Sequence, residues 1–132
     1  MSSEKTYIKN NEEGFFFDTY AFFEILKKNS NYEKYRKYEI TTTKLNLFEL
    51  YLGILREVDE NNAKKVLEKY YPFAIDFDEN VTKEAAELKK MLNKRDVSMT
   101  DCIGYCLAKQ IGIKFLTGDT AFENLMNVEF VK

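Results

Sequence analysis

The chain changes its hydrophobic period repeatedly along its length, and that alternation constrains the fold more than any other feature. Short apolar or β-forming runs stand at "FFFDT" (15–19), "YEITTT" (38–43), "FAIDFD" (73–78), "IKFLTGD" (113–119) and "VEFV" (128–131). Between them, apolar residues recur three and four positions apart, the spacing of an amphipathic helix. "AFFEILKKN" is one such stretch, and "KLNLFELYLGILREV" places Leu45, Phe48, Leu52 and Leu55 on one stripe. "NAKKVLEKYY" continues as a second helix before Pro72 breaks the chain. Val81, Ala85, Leu88 and Leu92 mark the next helix, and "SMTDCIGYCLAKQIG" another that ends at a glycine C-cap, Gly112. A short helix over "TAFENL" precedes the last strand. Five strands separated by helices predict an α/β layered domain with a mainly parallel five-stranded sheet.

At 132 residues the chain fits one domain, expected over 14–132, after a polar N-terminal extension over 1–13. No apolar run approaches the roughly 18 residues of a membrane span. "MSSEKTYIKNNEEG" lacks the apolar centre of a signal peptide, so a cytoplasmic protein with no membrane partner is expected. The two cysteines, Cys102 and Cys106, would lie about 5–6 Å apart on one helix, too far for a disulfide. They read as small buried apolar residues. With no histidine and no second cysteine pair, a standard tetrahedral zinc site is not expected.

The absence of histidine removes the Ser-His-Asp and Cys-His nucleophile schemes together. Four carboxylates then stand out by position. Ligands of an open parallel sheet gather at the carboxyl ends of its strands, near the point where strand order reverses. Asp18 closes the first strand and Asp119 follows "FLTG", so both face that edge. Glu49 sits one turn into the helix that leaves the second strand, and Asp101 in the first turn of a helix beginning near Ser98. At about 4 Å and an effective dielectric near 20, each like-charge pair would cost on the order of 4 kcal/mol. A hard divalent cation, Mg²⁺ or Mn²⁺, is the natural offset, because such ions prefer oxygen ligands.

Each acid also has a plain structural reading. Asp18 and Asp119 suit helix N-caps, Ser98 and Asp101 have capping-box spacing, and Glu49 suits an ordinary solvated position.

"FFFDTYAFF", "LNLFELYLGI", "SMTDCIGYCLA" and "FLTGDTAF" together resemble, in order and spacing, the acidic pattern of PIN domains, and in particular the small single-domain VapC-type toxin ribonucleases. The resemblance covers residues 14–132. It implies a three-layer α/β/α domain and a metal-dependent endoribonuclease whose site is built from Asp18, Glu49, Asp101 and Asp119. It also implies that Thr19 and Thr117 are hydroxyl neighbours orienting a carboxylate or a bound water. A homodimer and a small antitoxin partner follow from the same likeness. A PIN-like RNA- or protein-binding module without catalysis, or a processing nuclease that is not a toxin, keeps the same fold.

RNA contacts beyond the acids are expected from basic residues. "NYEKYRKY" interleaves Tyr32, Tyr35 and Tyr38 with Lys34, Arg36 and Lys37, suited to base stacking or, as a helical stripe, to core packing. "KKMLNKR" contributes Lys94 and Arg95 ahead of the Asp101 helix. Arg36, Lys94 and Arg95 are the candidate phosphate contacts.

Overall fold

The computed structural model describes residues 14–93 and 96–132. Strands β1 (Phe15–Phe17), β2 (Ile40–Thr41), β3 (Lys114–Thr117) and β4 (Val128–Phe130) form one sheet in the order β2-β1-β3-β4. Every pairing is parallel, with Phe16 opposite Thr41 on one side and Phe115 on the other. Helices α1 (Thr19–Leu26), α2 (Lys44–Glu57), α3 (Glu60–Tyr70), α4 (Glu79–Leu92) and α5 (Met99–Ile111) fill the connections.

Successive strand residues point to opposite faces, and here they fill two separate cores. Phe16 and Phe115 pack with Val81, Ala85, Ile103 and Leu107 of α4 and α5. Phe17 and Leu116 pack with Ala21, Phe22, Leu47, Leu50 and Ile54 of α1 and α2. The result is the expected three-layer α/β/α arrangement.

The sheet has four strands rather than five. The run at 73–78 touches it through a single bridge, Thr42 to Ala74, in which Thr42 N–H donates to Phe73 O at 3.2 Å and Ile75 N–H to Thr42 O at 2.9 Å. On one side Pro72 opens a 3₁₀ turn over Tyr71–Phe73. On the other, Asp78 caps α4 by accepting from Val81 N–H, so the chain must leave the edge within a few residues.

The buried stripe of α2 also differs from expectation. Leu47, Leu50 and Ile54 face the core, while Phe48 is 67% exposed and Leu55 40%. This helix is apolar around most of its circumference, so periodicity alone does not choose a face. The polar residues Asn46 and Glu49 do, by what they reach.

The "NYEKYRKY" segment forms a 3₁₀ helix, Ser30–Lys37, with Tyr32 and Tyr35 buried. Their hydroxyls donate to Val131 O at 2.6 Å and Glu129 Oε2 at 2.5 Å. These two rings are core, and stacking on bases is closed to them. Arg36 is exposed and sits 3.6 Å from Glu33; Lys94 and Arg95 lie outside the described residues. Cys102 and Cys106 are buried and unbridged. Among the described residues no helix is long and apolar enough to cross a membrane.

Candidate active site

Strand order reverses at β1, whose chain continues to β2 on one side while β3 lies on the other. The crevice at the carboxyl ends of β1 and β3 is therefore the place where a parallel sheet receives ligands. Asp18 directly follows β1 and is 2% exposed. It N-caps α1, its Oδ1 accepting from Thr19 N–H at 2.9 Å. Its Oδ2 accepts from the Thr117 hydroxyl, at the end of β3, at 2.7 Å.

Asp119 N–H donates to the same Thr117 oxygen at 3.1 Å, and the Asp119 carboxylate caps the 3₁₀ turn Thr120–Phe122 through Ala121 N–H at 2.9 Å. Asp101 enters from α5. Ser98 and Asp101 form the capping box: Asp101 Oδ2 accepts from Ser98 N–H, and Ser98 Oγ accepts from Asp101 N–H, both at 3.1 Å. Glu49 enters from α2, its Oε1 accepting from the Thr19 hydroxyl at 3.0 Å.

Structural capping and convergence thus occur in the same residues. Three of the four acids stabilise helix or 3₁₀ N-termini, and those N-termini are aimed at one crevice. Burial first, then the neighbouring Asp101 charge, hold the Asp18 carboxyl well above the usual carboxylate range, against the opposing bonds from Thr117 and Thr19. The Asp101 carboxyl is raised as well. Burial leads, Asp119 and Glu49 add repulsion, and the Ser98 bonds pull the other way. All four carboxylates are therefore within Coulombic reach of at least one other.

Among the described residues no three side chains of metal-ligating type are assembled as ligands. The donor set nevertheless suits a hard divalent cation: it is all oxygen, two of its members are destabilised by burial and by neighbouring carboxylates, and among the described residues none is paired with a lysine or arginine. The ion pairs among the described residues, Lys27 with Glu24, Arg36 with Glu33, Lys64 with Glu60 and Lys83 with Glu79, all lie elsewhere.

Two polar residues of the site were not singled out from sequence. Thr43, buried, N-caps α2. Asn46 is 0% exposed, accepts from the Thr43 hydroxyl at 2.7 Å, and donates to Thr19 Oγ1 at 3.1 Å. The available signal was a polar residue one turn ahead of Glu49 in an otherwise apolar helix.

Comparison with known proteins agrees with this fold. The family model described as PIN domain matches residues 15–127, a span that includes all four acids. Among solved structures, a toxin-antitoxin complex from Klebsiella pneumoniae aligns with a TM-score of 0.69 at 14% identity, over 88% of this chain and 96% of that one. The crystal structure of VapBC2 from Rickettsia felis, bound to a DNA fragment from their promoter, aligns with a TM-score of 0.67 at 18% identity, over 89% of this chain and 98% of that one. No functionally curated protein matches the chain. A family model spanning nearly the whole described chain, on a parallel sheet that gathers acids at its switch point, establishes that this protein belongs to the PIN domain family.

Proposed function

We propose that this protein is a divalent-metal-dependent endoribonuclease that hydrolyses RNA phosphodiester bonds, acting as the toxin of a toxin-antitoxin pair. One observation carries the reading: Asp18, Glu49, Asp101 and Asp119, from four distant segments, share the switch-point crevice with no cation beside them among the described ion pairs. Asp18, Glu49 and Asp101 would hold Mg²⁺ or Mn²⁺, assisted by Asp119. When bound, such an ion lowers the pKa of a coordinated water and neutralises charge on phosphate oxygens, chemistry that needs no histidine.

The chain's own hydroxyl and backbone donors supply the orientation. Thr117 and Thr19 N–H hold the two oxygens of Asp18, the Thr19 hydroxyl holds Glu49, and Ser98 holds one oxygen of Asp101. The toxin assignment draws on the two structural neighbours, both titled as toxin-antitoxin assemblies. Exposed Phe48 and Leu55 on α2, with Val58 after it, are the apolar surface we assign to protein partners, an antitoxin and a second copy.

Incubation with structured RNAs and Mn²⁺ tests the proposal. Cleavage should appear with the ion, vanish in EDTA, and vanish in Asp18→Asn while that variant stays folded. Wild-type cleavage by Asp18→Asn would remove the site from the account, and RNA binding with no cleavage in any condition would favour a binding module instead.

A further inference from the structure

Asn46 occupies an unusual place for an amide. It is fully buried on α2, one turn before Glu49, surrounded by the core that Leu47 and Leu50 help to form. A buried amide left without partners costs roughly 1–3 kcal/mol, and among the described residues no buried side-chain polar atom is left unpartnered. What matters is how its partners are arranged. The Thr43 oxygen accepts the Asn46 backbone N–H at 3.3 Å, which leaves the Thr43 proton to donate to Asn46 Oδ1 at 2.7 Å. Asn46 Nδ2 carries only protons, so at its 3.1 Å contact with Thr19 the Thr19 oxygen must accept. The single Thr19 proton is then committed to Glu49 Oε1 at 3.0 Å.

We infer that Asn46 is a positioning residue: through a one-way chain of donation from Thr43 to Asn46 to Thr19, it holds the Glu49 carboxylate in one orientation for a divalent cation. The inference rests on the metal-dependent reading above and adds to it a residue that touches neither the ion nor the substrate. Turning the amide over shows why direction matters. Oδ1 would then face Thr19 and take its proton, and Glu49 Oε1 would meet a hydroxyl oxygen with no proton to share. Thr43 opposes that turn, because its proton, now given to Asn46 Oδ1, would face an amide N–H and lose its acceptor. Outer partners that orient a metal ligand typically change metal affinity by about 10–100-fold when removed.

The test measures Mn²⁺ affinity by electron paramagnetic resonance of the free ion, in a double-mutant cycle of Asn46→Leu and Thr19→Val on the full chain, with circular dichroism to confirm folding. Asn46→Leu should weaken Mn²⁺ binding by about 10–100-fold. In the Thr19→Val background it should add no more than about twofold, since residues acting through one another are not additive. Thr43→Val, which frees the amide to turn, should give a loss of the same kind and serves if Asn46→Leu does not fold. Affinity unchanged in Asn46→Leu or Thr43→Val, or losses that simply add to that of Thr19→Val, would overturn the inference while leaving the acidic site intact. Absence of Mn²⁺ binding by the wild type would overturn the inference and the metal-dependent reading together, whereas wild-type binding that is lost in Asp18→Asn and unchanged in Asn46→Leu would overturn the inference alone.

Discussion

The Thr117 hydroxyl lies 2.7 Å from Asp18 Oδ2 and donates to it, joining residues 99 positions apart in the chain. The same oxygen accepts Asp119 N–H, so one hydroxyl ties the carboxyl ends of β1 and β3 to the turn that follows. Thr117→Val removes both bonds and leaves a buried carboxylate short of a donor. It should lower unfolding free energy by about 1–3 kcal/mol, seen as a reduced urea midpoint with an unchanged slope, and Thr117→Ser should recover most of the loss. A Thr117→Val midpoint equal to that of the wild type would show that the bond contributes nothing.

Asp18 is buried beside Asp101, so without a cation its charge works against folding. Asp18→Asn removes that charge while keeping an acceptor for Thr19 N–H. In EDTA the variant should therefore melt higher than the wild type, where about 1 kcal/mol corresponds to roughly 3–5 °C for a domain of this size. Saturating Mg²⁺ or Mn²⁺ should raise only the wild type, by about 2.7 kcal/mol at a hundred times the dissociation constant. A lower Tm for the variant in EDTA would contradict the repulsion at the centre of the site.

Much of this arrangement is legible in the residues, and the exceptions have physical causes. The apolar run "FFF" and the apolar centre of "IKFLTGD" identify β1 and β3, because strands buried on both faces are dominated by apolar residues. Asp18 and Asp119 follow from them, since a parallel sheet sends its strand ends to one edge. Glu49 follows from the helix that leaves the second strand, and Asp101 from a helix whose start is marked by Ser98. The run at 73–78, third of the five expected strands, reads as a strand because Phe73, Ile75 and Phe77 alternate, whereas Pro72 and the Asp78 cap decide how far the chain can stay on the sheet. The face of α2 was misread because Leu45, Phe48, Leu52 and Leu55 form as good a stripe as Leu47, Leu50 and Ile54. The contacts of Asn46 and Glu49 with Thr19, made across the fold, distinguish them.

Gly104 gives a packing prediction for the helix that carries Asp101. A Cβ placed there would lie 2.7 Å from Phe16 Cε1 and 3.1 Å from Phe115 Cε1, two rings stacked 5.8 Å apart in the sheet. Alanine would gain roughly 1 kcal/mol in helix propensity, but forcing a methyl into a packed core costs about 1–3 kcal/mol. Because the obstacle is a pair of ring edges rather than a flexible chain end, the steric cost should win. Gly104→Ala is expected to lower Tm in a thermal melt, and an increase would show that α5 can move away from the sheet freely.

The two cysteines contribute to the loss of stability at alkaline pH. Burial pushes the Cys106 thiol up to about 11, with Glu84 adding repulsion, and burial with Asp101 nearby does the same for Cys102, also to about 11. Each folded-state pKa lies above the roughly 8.5 of a free thiol, so the stability these groups contribute is present below that value and lost as pH rises through about 11. Burial raises Tyr32 and Tyr35 in the same sense, at higher pH. Urea midpoints should fall between about pH 9 and pH 11, and less steeply in Cys106→Ala than in the wild type. Iodoacetamide should label the native protein slowly at about pH 8, where a thiol of this kind is roughly one part in a thousand thiolate. Rapid labelling of both thiols in the native state, or midpoints flat across this range, would contradict their burial.

Anomalous diffraction from crystals grown with Mn²⁺ asks most directly whether acids from distant segments share a cation. The account predicts a manganese peak in the crevice at the carboxyl ends of β1 and β3, with oxygen ligands from Asp18, Glu49 and Asp101, and its disappearance in Asp18→Asn. A saturated crystal with no peak there, and with each carboxylate still held only by its own threonine or serine partner, would contradict it.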